Sequence, residues 1–114
     1  NYTKKVIKPI LKRESKAASN ELKKLIKKSK NSFIRRPDRI SNQSITDLQK
    51  IFDESVSLSV VYNFKNKLHD ILNNKYKKLE KFKETIEDWR LEAKREGIDY
   101  LDEFSDSLKG YKII

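Results

Sequence analysis

The chain has 114 residues, 36% of them apolar and 39% charged, with 27 Lys and Arg against 17 acids, two Gly, two Pro, one His and no Cys. That length holds one sparse core drawn from helix stripes, the missing Cys excludes disulfides and thiolate zinc sites, and no apolar run approaches the ~18 residues of a membrane span. The charge is uneven: residues 1–39 hold fourteen Lys and Arg against three acids, and the remaining residues thirteen against fourteen. The cationic excess therefore belongs to the first third and points to an anionic partner at that end. The start, Asn1-Tyr2-Thr3-Lys4-Lys5, lacks a signal peptide's apolar stretch and opens without Met, so the chain reads as a piece of a longer protein or as a processed one.

In chain order, the first element spans about Thr3 to Lys30. On a helical wheel Val6, Ile7, Ile10, Leu11, Ala18, Leu22 and Leu25 share one broad face. Lys5, Lys12, Lys16, Lys23, Lys27 and Lys30 gather opposite, within ~60° of one another, with Lys8 beside them. As one helix this stripe would run roughly 38 Å. Pro9 removes a donor and crowds the carbonyl four residues back, so the helix is kinked there or begins there.

Asn31 to Gln43 reads as a connector, with Arg36-Pro37-Asp38 as a turn signal. Ser44 looks like an N-cap with Asp47 completing a weak capping box, opening a short helix, Ile45 to about Glu54, that buries Ile45, Leu48, Ile51 and Phe52. Ser55 or Ser57 starts a third helix to about Leu72, with Leu58, Val61, Phe64, Leu68, Ile71 and Leu72 at helical spacing, and Asn73-Asn74 ends it. A fourth, Lys75 to Glu96, carries Tyr76, Leu79, Phe82, Ile86, Trp89 and Ala93 on one face, and Gly97 stands where a left-handed cap belongs. The last, about Ile98 to Lys109, buries Ile98, Leu101, Phe104 and Leu108 and stops at Gly110. The expected fold is all-α: a small, soluble bundle of about five helices with a long basic first helix. It is one domain over 1–114, divided into the basic helix 1–30, a connector 31–43 and a bundle 44–114.

Candidate chemistry is thin. His69 is the sole histidine, and Asn66 holds the position where a helical Glu-x-x-His ligand pair needs its acid, so neither a metal site nor a His-based triad can be assembled. Glu80, Glu84 and Glu87 share a face opposite the apolar stripe and read as solvated, with nothing to desolvate them for acid–base work. Trp89 and Tyr76 lie in register with the core, while Tyr62, Tyr100 and Tyr111 are left open as platforms for stacked bases. No glycine-rich phosphate loop is present. Catalytic, cofactor-binding and metal-binding residues are expected to be none.

The basic stripe is what stands out: Lys5, Lys8, Lys12, Lys16, Lys23, Lys27 and Lys30, continued by Arg35 and Arg36. It reads as a solvated face, as a contact to anionic lipid at ~1 kcal/mol per residue, or as a track for a nucleic-acid backbone.

Three stretches resemble the C-terminal region of bacterial integral-membrane fatty-acid (acyl-CoA) desaturases: Tyr2 through Lys8-Pro9-Ile10-Leu11 to Glu14, Val61 to Leu68, and Trp89 through Gly97-Ile98-Asp99-Tyr100 to Tyr111. The resemblance implies a non-catalytic cytoplasmic accessory domain at the inner-membrane face, attached to a membrane-bound oxidoreductase whose histidine-rich di-iron centre lies outside this chain. The basic stripe would then meet anionic headgroups. Lys23 to Arg36, Leu58 to Leu72 and Trp89 to Leu108 are also similar to the helical C-terminal portion of insertion-sequence transposases, which implies DNA as partner and catalytic acids elsewhere. The opening segment to Glu14 fits the desaturase pattern better, so the desaturase reading leads and the transposase reading is its alternative. A helical protein–protein module is the third.

Overall fold

The computed structural model describes residues 2–108. Among them are seven α-helices, a π-helical turn and a 3-10 turn, and no strand. The all-α expectation holds at that level, with seven helices in place of about five. The chain divides into two compact units, Asn1–Tyr62 and Asn63–Ile114.

In the first unit the turn Thr3–Ile7 leads into α1 (Lys8–Ala17), with Pro9 at its start. Of the two outcomes expected at Pro9, the α-helix begins there, and the turn ahead of it is π-helical. The backbone stays right-handed through Ile7 and Lys8 and widens by one residue, the Lys8 N–H donating to the Thr3 carbonyl. A widened turn is a known way to absorb an inserted or missing donor.

The expected single helix to Lys30 is a correction. Ala18 is extended (ψ 156°), and Ser19 caps a new helix, α2 (Asn20–Lys28), its Oγ accepting from the Leu22 N–H at 3.2 Å. A serine cap satisfies a donor that the helix start leaves orphaned. Ser29, buried, joins α2 to α3 (Lys30–Ile34), which stops at Arg35, two residues ahead of Pro37. The connector thus holds the end of α3 and the 3-10 turn Pro37–Arg39.

α4 (Asn42–Glu54) begins three residues before the expected Ile45, because Ser41 and not Ser44 is the cap: Ser41 Oγ accepts from the Ser44 N–H at 3.1 Å. The earlier start leaves Ile45 36% exposed, while Leu48 and Ile51 are buried as expected. Ser55, of the two serines offered, caps α5 (Val56–Asn73), its Oγ accepting from the Leu58 N–H. That hydroxyl also donates to Glu14 Oε1 at 2.6 Å, tying α1 to the head of α5. Tyr2 donates to the Val61 carbonyl, and Phe33, Phe52 and Tyr62 pack ring against ring at 5.2 to 6.0 Å between centroids. Around them Val6, Ile7, Ile10, Ile26, Leu48, Ile51, Leu58 and Val61 close the core.

The second unit consists of the rest of α5, α6 (Leu79–Arg95) and α7 (Asp99–Ser107). α6 starts four residues later than expected, leaving Tyr76 outside the helix and edge-on to Phe82, and Leu79 half exposed. Leu72 is likewise exposed. Trp89 is core: its Nε1–H donates to the Phe64 carbonyl at 3.0 Å, and its ring meets Phe64 and Phe104 edge-on. Tyr62 is buried and Tyr100 partly exposed, while Tyr111 and the expected stop at Gly110 fall outside the described residues.

Gly97 has φ +68° and ends α6 as expected. A Cβ there would meet nothing within 4 Å, so only backbone strain resists substitution. Gly97→Ala is expected to lower stability by ~1 kcal/mol, and Gly97→Asn by less, in urea melts.

Lys65 is half-buried on α5, and burial pushes its ammonium down from 10.5 to about 8. The unfolded chain then holds the extra proton between those two values, so stability rises as pH climbs from about 8 towards 10.5. Burial raises the Tyr2 phenol instead, so its ionisation in the unfolded chain opposes folding above pH 10.0. Urea melts between about pH 7 and 9.5 are therefore expected to show a gain that Lys65→Met abolishes.

Candidate functional site

The break at Ala18-Ser19 redraws the basic stripe. One 38 Å line is replaced by two shorter rows on separate helices. Lys8, Lys12 and Lys16 are spaced by four along α1, while Lys23 and Lys27 lie on α2 and Lys30 opens α3. The rows flank one groove of about 680 Å³, whose floor is Ile7, Leu11, Ile26 and Ile34, with Ser15 on the α1 side. All six lysines are exposed, and Ile34, 47% exposed, leaves part of the floor open to water.

No acid lines the groove. The one acid of α1, Glu14, is drawn to Ser55 and sits 3.8 Å from Arg13. Asp47, buried on α4, takes Gln43 at 3.0 Å and Lys28 at 3.4 Å, so Lys28 tethers α2 and plays no part in the rows. None of the six groove lysines enters an ion pair among the described residues. With no local counter-charge, the two rows add their potentials across a low-dielectric floor and concentrate anions between them.

Of the nine cations expected from sequence, the groove gathers Lys8, Lys12, Lys16, Lys23, Lys27 and Lys30. Lys5, on the widened turn, and Arg35 and Arg36, beyond α3, are exposed but do not line it. Ile26 and Ile34 were missed. On a single-helix wheel Ile26 shares an angle with Lys8, about five turns away, and only the new phase set by Ser19 turns it inward. Ile34 lay in the supposed connector.

The remaining polar candidates do not converge. Asn73 Nδ2 lies 2.8 Å from His69 Nε2, Glu87 turns to Arg90, and no group of three His, Asp or Glu able to hold a metal occurs among the described residues. Among the described residues no helix is long and apolar enough to cross a membrane.

Compared with known families, residues 1–113 match the model DDE_Tnp_ISL3, described as a transposase. The chain belongs to this transposase family. No curated protein and no solved structure matches it. Membership in the ISL3 transposases overturns the desaturase reading, along with the acyl-chain chemistry and inner-membrane placement drawn from it, and the di-iron expectation loses its only support. The resemblance misled because Val61–Leu68 and the stretch from Trp89 to Tyr111 are helix-core and cap patterns in sequence, which amphipathic helices of any function share.

Proposed function

We propose that the chain is a non-catalytic nucleic-acid-binding module of an insertion-sequence transposase, holding DNA through the lysine rows of its first unit while the catalytic residues lie elsewhere in the parent protein. The observation that carries this reading is the gathering of six exposed lysines, with no acid among them, around one groove in a chain of a transposase family. Lys5, Arg35 and Arg36 extend the same cationic surface to further phosphates.

Phosphate neutralisation by lysine releases condensed counterions, so affinity falls log-linearly with salt. Fluorescence anisotropy of labelled duplex DNA, titrated with the full chain between about 50 and 200 mM salt, is expected to show a slope of about −5 if all six lysines engage. Binding that is flat across the series, or absent at the lowest salt, ends the reading.

A further inference from the structure

We infer that the groove grips duplex DNA by one sugar–phosphate strand and reads neither base sequence nor stacked bases, an inference that rests on the nucleic-acid reading above. The argument is what the groove is made of. Base edges are read most selectively by the rigid fork of Arg and the amides of Asn and Gln, and none of the three lines the groove among the described residues. Lys can reach a guanine edge, but its single ammonium fixes no donor geometry there. Lysine is a compact point charge with rotatable donors, suited to a phosphate oxygen at any angle. Stacking of splayed bases needs exposed aromatic faces. The first unit has four aromatic residues, and none lines the groove: Tyr2, Phe33 and Tyr62 are buried, and Phe52 is packed against the latter two.

The spacing agrees. Lys8 to Lys16 covers ~12 Å of helix axis, over which one DNA strand advances roughly three to four phosphates at 3.4 Å each. A strand lying between the rows meets ammonium groups on both sides, and the aliphatic floor of Leu11 and Ile26 faces its sugar carbons. Duplex is preferred to single strand because each phosphate contact is worth about −0.9 in salt slope on B-DNA against about −0.7 on a single strand, and nothing in the groove supplies the stacking that single-strand binders use to compensate.

Competition anisotropy with the full chain tests this, using duplexes of about 30 bp that are mixed, A·T-rich or G·C-rich, and single strands of equal length. The duplexes are expected to compete within about two-fold of one another, since phosphate contacts carry no sequence information. The single strands should be roughly ten-fold weaker at about 0.15 M salt. Lys→Arg at all six positions should keep the affinity and Lys→Gln should lose it. A base-composition preference above about ten-fold, tighter binding to single strands, or unchanged binding by the Lys→Gln chain overturns the inference while leaving a nucleic-acid function standing. Failure of every probe to bind removes the function and the inference together.

Discussion

Replacing Lys8, Lys12, Lys16, Lys23, Lys27 and Lys30 by Gln is expected to remove most of the salt dependence of DNA binding. The six groove lysines contribute about −5 to the slope of the unmodified chain, or a loss near 10³-fold in affinity between about 50 and 200 mM salt. The substituted chain keeps Lys5, Arg35 and Arg36, so its slope should fall to between about −1 and −3. Replacing the α1 row alone should remove roughly half of the effect, because each lysine contributes about one unit. All six side chains are exposed, so helix content by circular dichroism should not change. Lys75→Gln, Lys77→Gln and Lys78→Gln, in the second unit, form the control for the α1-row variant, with the same loss of three formal charges. If the control reproduces the result of the row variants, net charge and not placement governs binding.

Loss of Arg90 is expected to be the most destabilising change at a charged residue of the second unit. The residue is 5% exposed, yet its guanidinium donates through Nε to the Ser105 carbonyl at 2.8 Å and through Nη1 to both Glu87 oxygens at 2.7 and 2.8 Å. Nη2 lies 3.7 Å from Asp106, which also takes Lys94. Ser105, fully buried, returns a bond from its Oγ to the Arg90 carbonyl at 3.1 Å, so α6 and α7 are joined in both directions. Breaking a fully buried pair costs ~3–5 kcal/mol because a charge is stranded. Here Glu87 and Asp106 are more than half exposed and stay hydrated, which lowers the expected cost of Arg90→Ala to ~2–3 kcal/mol, mostly lost packing and the Ser105 bond. Arg90→Lys should recover less than half, lacking the planar fork. Glu87→Gln alone should cost under ~1 kcal/mol. Urea denaturation of the three chains measures the order. Equal stability of Arg90→Ala and the parent would dismiss the clamp.

Legibility in sequence followed the range of the interactions involved. Gly97, Trp89 and the stripe of α5 were readable because helix period and left-handed caps are local rules. The break in the first helix left a local trace, the Ser19-Asn20 pair ahead of Leu22, but no Gly or Pro marked it, and the continuous lysine pattern concealed it. Arg90 also left a trace, being one turn beyond Ile86 and one short of Ala93 on an otherwise apolar face. Its partners, fifteen positions on at Ser105, follow no local rule. The same holds for Tyr2, whose acceptor at Val61 is 59 residues away. The groove lysines were legible as a basic stripe, but their division into facing rows depends on α1 and α2 turning back on each other.

One consequence follows from the cap at Ser19. A peptide covering 3–30 would carry every groove lysine but none of the packing that α4 offers to α2 and α3. In water such a segment samples a straight rod or a coil, and either way its ammonium groups spread out instead of converging. The concave focus of charge therefore exists only in the folded unit, and a protease cut or a local unravelling at Ala18 would release bound polyanion without removing a single lysine.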